Sequence, residues 1–148
     1  MFIDQSPPLL PVDGIKPITP ISGWQDFLEE GEAYLHTAKN AFANGRKAFT
    51  PEILYNIIAM SIEKFVMAAL MKHGALPYNH TMADLVFAMD DVFPDHIKDI
   101  REELINLDSY QEICDVDSYA ITPPMATEIP SMLNLGEKLR ELLQQKLN

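Results

Sequence analysis

The feature that most constrains this chain is an apolar stretch between Thr50 and Gly74. Thr50 predicts an N-cap, Pro51 suits a first helical position, and Gly74 predicts the end of the helix. Apolar residues recur along two sides of this helix: Ile53, Ile57, Met60, Met67 and Met71 on one, and Leu54, Ile58, Ile62, Phe65 and Ala69 on the other. Such a helix must be covered on more than one face, so it is central in a bundle or faces both the core and a second subunit.

The same stretch is long enough to cross a membrane, but its composition argues against it. Asn56, Glu63 and Lys64 would lie in hydrocarbon. Each charge at a helix centre costs about 2.5–3.5 kcal/mol there. The first residues resemble no secretory signal, and Cys114 is the one cysteine, which fits a reducing compartment. We therefore expect a soluble, cytoplasmic protein that binds no membrane.

The rest of the chain after Ser22 also has helical periodicity. A first helix begins at Trp24, capped by Ser22, and stops at Asn44-Gly45. Asn79 or Thr81 caps a third helix, Pro94-Asp95 begins a fourth, and a fifth runs from Thr127 or Pro130 to Leu147. No segment alternates cleanly as a strand does. Residues 23–148 are thus predicted to form an all-α, antiparallel, up-and-down bundle of four to five helices.

Residues 1–22 form a proline-rich arm, with Pro7, Pro8, Pro11, Pro17 and Pro20. Proline fixes φ and removes a hydrogen-bond donor, so an extended arm is predicted. Three roles are open: a solvated leader, a ligand for a proline-reading module, or an arm packed over the bundle. The apolar side chains for such packing are Leu9, Leu10, Val12, Ile15 and Ile18.

The formal net charge is −11, and only Arg46 and Lys47 are adjacent cations. Binding to duplex DNA needs a basic surface, because counterion release drives it. Duplex DNA is therefore not expected as a partner, although net charge alone leaves a small local RNA site open.

The order of these segments resembles that of the HEPN domain family. The first helix contains GEAYLHTAKNAFANG, the second contains SIEKFVMAALMKHG, a loop leads to NHTMADL, and LDSY occupies 107–110. The resemblance spans about residues 25–148. It implies a helical bundle, frequent homodimers and one of two roles. Many members are metal-independent RNases, often toxins paired with a nucleotidyltransferase-like antitoxin, and others are non-catalytic binding modules.

The chain departs from the family where the catalytic members carry an arginine followed, after four to six residues, by a histidine. None of Arg46, Arg101 and Arg140 has a histidine at that spacing. The corresponding region reads CDVDSYAITPP, whose acidic residues oppose an anionic substrate. His96 and Arg101 have the spacing in reverse order, but on a single helix they would not share a face. We therefore expect no catalytic residues.

Other site chemistries have weaker support. His73, His80 and Asp84 match no strong zinc spacing, and the acidic neighbours of Cys114 would raise rather than lower its thiol pKa. No metal and no cofactor are expected. The candidate binding residues are Glu63, Lys64, His80, Tyr110 and Tyr119. Glu63 and Lys64 are interpreted as a polar sector of the central helix, His80 as a hydrogen-bonding loop residue, and the two tyrosines as stacking surfaces.

Two functions follow from these patterns. The first is a non-catalytic HEPN-like binding or interaction module. It would form a homodimer and bind either a protein, such as a nucleotidyltransferase-like partner, or a nucleotide-like ligand. The second is a metal-independent, toxin-like RNase with a divergent active site.

Overall fold

A computed structural model describes residues 19–110 and 123–148. Within these ranges the regular structure is helical and contains no strand, which confirms the all-α prediction. Five α-helices pack together: α1 Trp24–Ala43, α2 Pro51–Lys72, α3 Met82–Val92, α4 Arg101–Asn106 and α5 Ile129–Leu147. Short 3₁₀ segments at Leu107–Tyr110 and Ala126–Glu128 follow α4 and precede α5.

Helix α2 is the most buried element, as its apolar pattern predicts. Thr50 Oγ1 accepts a hydrogen bond from the Ile53 amide at 3.2 Å, and Pro51 occupies the first turn. The helix packs against α1, α3 and α5. One apolar side is fully covered: Leu54, Ile58, Ile62, Phe65 and Ala69 are all buried. The other side is covered only toward its C-terminal end, where Met67 and Met71 lie.

Helix α1 approaches α2 closely because small residues lie at the contact. Gly31, Ala38 and Ala41 are buried on α1. Ser61 of α2 is also fully buried, and its hydroxyl donates to the Gly31 carbonyl at 2.8 Å. A Cβ atom at Gly31 would lie only 2.9 Å from the Phe65 ring. This seam between α1 and α2 therefore depends on the absence of a side chain at Gly31.

The cap predicted for the first helix is wrong. Gly23, not Ser22, precedes α1, and no side chain caps the helix. Gly23 has φ 96°, in the left-handed region that glycine adopts without steric cost. The Asp26 amide bonds the Gly23 carbonyl at 3.1 Å. The backbone turn therefore replaces the expected serine cap.

The predicted start of the fourth helix is also wrong. Pro94-Asp95 lies in a run of turns, and α4 begins only at Arg101. Asp95 has φ 63°, which is incompatible with a right-handed helix. Proline also disfavours helical geometry at the residue before it, here Phe93. His96 and Arg101 therefore do not share a helix.

The remaining boundaries agree with the sequence prediction to within a residue or two. Thr81 caps α3, accepting the Asp84 amide at 3.0 Å, so Thr81 rather than Asn79 is the cap. Helix α5 begins at Ile129, between the two predicted starts. Its buried residues follow the helical period along one face: Ile129, Met132, Leu135, Gly136, Leu139, Leu143 and Leu147.

By length and composition alone, Pro51–Lys72 could cross a membrane. However, 61% of its most apolar window is buried inside the bundle. The core helix of a soluble protein has the same character, so this helix is weak evidence for a membrane span.

Candidate functional site

An open groove lies between α3 and the loop that leaves α2. It encloses about 660 Å³. Its lining consists of Ala75, Leu76, Pro77, Tyr78, Asp84, Phe87, Ala88, Asp91 and Val92. We call this surface the α3 groove.

Three large apolar side chains of the α3 groove are exposed to solvent. Leu76 is 59% exposed, Tyr78 93% and Phe87 51%. Outside the groove, the described residues with large exposed apolar side chains are Ile53 and Met60, both on α2, and Met125, just before the second 3₁₀ segment. Clustered exposed apolar residues, unlike scattered ones, mark interaction surfaces. The α3 groove is therefore the leading candidate site in the described part of the chain.

Local backbone interactions hold both walls of the groove. The Ala75 amide bonds the Leu70 carbonyl at 2.9 Å, which turns the chain sharply after α2. The other wall, α3, is fixed at its first turn by Asp108. The carboxylate of Asp108 accepts the amides of Met82 at 2.9 Å and Ala83 at 3.0 Å. Amides at a helix N-terminus lack helical partners, so this carboxylate satisfies two of them.

The polar rim of the α3 groove is acidic. Asp84 accepts the Thr81 hydroxyl at 2.7 Å, and Asp91 has no ion pair within residues 19–110 and 123–148. Arg101 approaches the groove, with its guanidinium 5.7 Å from the centre of the Phe87 ring. Arg101 also donates to Asp90 at 3.0 Å, so its charge is already paired. Such a rim disfavours an anionic ligand.

The predicted binding residues Glu63 and Lys64 contact different neighbours. Glu63 pairs with His80 of the loop before α3. The Lys64 ammonium lies 2.8 Å from Glu30 and 4.5 Å from the centre of the Phe27 ring, both on α1. The hydrogen bond to Glu30 raises the pKa of Lys64. These contacts join α2 to two neighbouring segments, and none of these residues lines the α3 groove.

Tyr110 lies away from Glu63 and Lys64. Its hydroxyl donates to Glu128, which together with burial raises its pKa to about 12. Its ring centre is 5.2 Å from that of Tyr55, about two helical turns before Glu63. Tyr119 and Cys114 lie outside the described residues. The structure thus brings Glu63 and His80 together but does not gather the predicted residues into one site.

The histidines considered for a metal site or a relocated catalytic pair have separate hydrogen-bond partners. His73 Nδ1 is 3.0 Å from the Ala69 carbonyl of its own helix, and His80 contacts Glu63. His96 Nε2 lies 2.5 Å from the Leu142 carbonyl, whereas Arg101 binds Asp90. Across residues 19–110 and 123–148, no three His, Cys, Asp or Glu side chains are grouped to hold a metal ion.

The sequence interpretation did not identify the groove residues. The available signal was Phe87, which falls outside the predicted inner face of the third helix formed by Leu85, Val86, Met89 and Val92. Leu76 and Tyr78 gave a second signal, as large apolar residues in a short loop after a helix-ending glycine. Neither signal shows that the two segments meet.

The chain matches no protein-family model, and searches of curated proteins and of solved structures give no significant match. The resemblance to the HEPN family therefore stays a prediction based on the order of the sequence motifs.

Proposed function

We propose that this chain is a non-catalytic, HEPN-like interaction module that binds another protein through the α3 groove. The observation that carries the proposal is the exposure of Leu76, Tyr78 and Phe87 around one concave surface. Protein interfaces are enriched in tyrosine and phenylalanine at their centres, and binding energy concentrates on such anchors. The acidic rim favours a protein over a nucleotide-like ligand, because phosphate groups would meet Asp84 and Asp91.

An up-and-down arrangement belongs to the same proposal. The ring centre of Trp24, at the start of α1, lies 5.1 Å from the ammonium of Lys72, at the end of α2. Arg140 of α5 donates to Glu32 of α1 at 2.6 Å, and Lys39 of α1 pairs with Glu137 of α5 at 2.9 Å. In both pairs of helices, residues that come later in one helix meet residues that come earlier in the other. This order supports antiparallel neighbours.

The homodimer is also part of the proposal, on a surface separate from the groove. Ile53, Ile57 and Met60 are spaced to share one face of α2. Ile53 is 42% exposed and Met60 39%, while Ile57 is half-buried. A second copy would cover this face. Light scattering at tens of micromolar should give twice the chain mass, and a Met60→Glu variant should shift it toward one chain mass.

The groove proposal is tested by photo-crosslinking in the source cells. A photoreactive amino acid replaces Tyr78, and a matched probe replaces Met125, which is 62% exposed and lies outside the groove. A protein captured only from position 78, and lost when Phe87→Asp is added, would support the proposal. Equal capture from both positions, or none, would contradict it.

The RNase alternative is tested separately with purified protein and mixed single-stranded RNA. The proposal predicts no cleavage in the presence of EDTA. Cleavage that persists in EDTA and disappears in His96→Ala would instead establish a divergent active site. The separate partners of His96 and Arg101 support the expectation of no cleavage.

A further inference from the structure

The described chain begins beside the α3 groove. The Ile21 amide donates to the Met71 carbonyl at 2.7 Å, and the Gly74 amide donates to the same carbonyl at 3.0 Å. Ala75, the next residue, is the first residue of the groove wall. The backbone at Ile21 and the backbone that enters the groove therefore share one hydrogen-bond acceptor.

Residues 1–18 precede this point and lie outside the described residues. An extended proline-rich chain advances about 3.1 Å per residue, so ten such residues would span about 31 Å. The part of α3 that lines the groove, from residue 84 to residue 92, spans about 12 Å, so the segment is long enough to cover it. Residues 9–18 of this segment include Leu9, Leu10, Val12, Ile15 and Ile18. Because proline disfavours a helix interior, the sequence predicts no helix in which these side chains would be buried.

The charges of this segment are compatible with the acidic rim. Between residues 9 and 18 the charged side chains are Asp13 and Lys16, so the segment has no net charge. Lys16 offers a partner for Asp84 or for Asp91, which has no ion pair in the described part of the chain. The apolar side chains of the segment would make the main contacts with the groove, and the acidic rim would not repel a segment without net charge.

We infer that residues 9–18 of the same chain occupy the α3 groove and that an external partner must displace them. This inference rests on the proposed function, because it assigns a regulatory occupant to the same surface. A tethered segment acts at an effective concentration of the order of millimolar, so even weak intrinsic affinity would keep the groove covered. The arm would therefore raise the apparent Kd of any partner.

Paramagnetic broadening in the full-length chain tests the inference. A nitroxide is attached at Ser6→Cys in a Cys114→Ser background. It should broaden the amide signals of Leu76, Tyr78, Phe87 and Ala88. The amide of Gly45 should keep its intensity. Gly45 lies before the start of α2, and the groove lies beyond the end of that helix, which is about 33 Å long. Adding Leu10→Asp and Ile15→Asp should restore the groove signals, whereas the matched change Gln5→Asp should not.

A mixed sample identifies the occupant. Spin label and isotope label are placed on different molecules, and the inference predicts that the broadening then disappears. Broadening that persists in the mixture would show that a second copy supplies the segment and would overturn the inference, as would uniform or absent broadening. If a partner is captured at Tyr78 but this broadening is absent, the inference fails and the proposed function stands. If the broadening is present but no partner is captured, the proposed function fails and the arm is the groove's occupant.

Discussion

The seam between α1 and α2 and the α3 groove are both lined by apolar and small side chains, yet they differ in what covers them. In the seam, Phe65 is fully buried against Gly31, and Ser61 donates to the backbone of the facing helix. In the groove, Phe87 is half exposed, and the surface that it lines is open to solvent. A closed apolar contact contributes to folding, whereas clustered exposed apolar side chains mark a candidate interaction surface.

The largest expected effect is in the seam. Phe65→Ala removes a fully buried aromatic ring and leaves a cavity in the centre of the bundle. We expect the free energy of unfolding to fall by about 3–5 kcal/mol, measured by urea denaturation. A loss below 1 kcal/mol would show that the seam is not tightly packed.

Gly31→Ala tests the same contact from α1. The added methyl would lie 2.9 Å from the Phe65 ring, and relieving that overlap costs about 1–3 kcal/mol. Alanine's better helix propensity offsets about 1 kcal/mol. A net destabilisation of about 0–2 kcal/mol is expected. Gly136→Ala on α5 is the milder control, because its Cβ would lie 3.2 Å from a flexible Leu35 methyl. Stabilisation by Gly31→Ala would contradict the close approach.

The buried Tyr55 makes the free energy of unfolding depend on pH in the alkaline range. Burial raises its pKa to about 12, and its hydroxyl donates to the Leu107 carbonyl at 2.7 Å. Because the folded pKa exceeds the unfolded value near 10, this contribution is complete below pH 10 and is lost as pH rises toward 12. The loss from Tyr55 approaches about 2–3 kcal/mol.

Tyr55→Phe should therefore reduce stability at pH 7 by about 1–3 kcal/mol, since the Leu107 carbonyl loses its donor. It should also make stability fall less steeply between pH 10 and 12, with part of the slope remaining from Tyr110, whose pKa is raised as well. Urea denaturation at a series of pH values measures both effects. An unchanged alkaline slope would contradict the assignment to Tyr55.

The smallest effect on stability is expected in the groove. Phe87→Asp replaces a side chain that is already 51% exposed, and surface changes of this kind usually alter stability by about 0.5 kcal/mol or less. Met125→Asp is the matched control, with the same added charge at another exposed apolar residue. Destabilisation of Phe87→Asp by more than 2 kcal/mol would assign the groove to the core instead of to binding.

The parts of this fold that could be predicted depend on local chemistry. Thr50 and Thr81 were identifiable as caps because a cap bonds an amide two or three residues ahead. The errors at Ser22 and at Pro94-Asp95 arose where glycine or aspartate adopts a left-handed backbone, which residue type alone does not determine. The groove was not predictable, because it depends on where the 75–78 loop lies relative to Phe87.

The predicted site residues show the same limit. Glu63 and Lys64 stood out because charges are rare in an apolar helix, and each has a polar partner on another segment of the chain. Sequence spacing could not reveal Glu30 or His80 as those partners. A polar residue in an apolar stretch is conspicuous whether it binds a ligand or joins two segments, whereas an exposed Phe87 among core leucines is not.

The most direct test of the account is the affinity of the captured, purified partner for three full-length proteins: the parent chain, Phe87→Asp and Met125→Asp. Loss of an aromatic anchor at the centre of an interface typically costs 2 kcal/mol or more, which is roughly thirtyfold in Kd. We expect Phe87→Asp to weaken binding at least tenfold while Met125→Asp binds as the parent does, with all three equally stable in urea. Equal affinity of the three proteins would contradict the assignment of binding to the α3 groove.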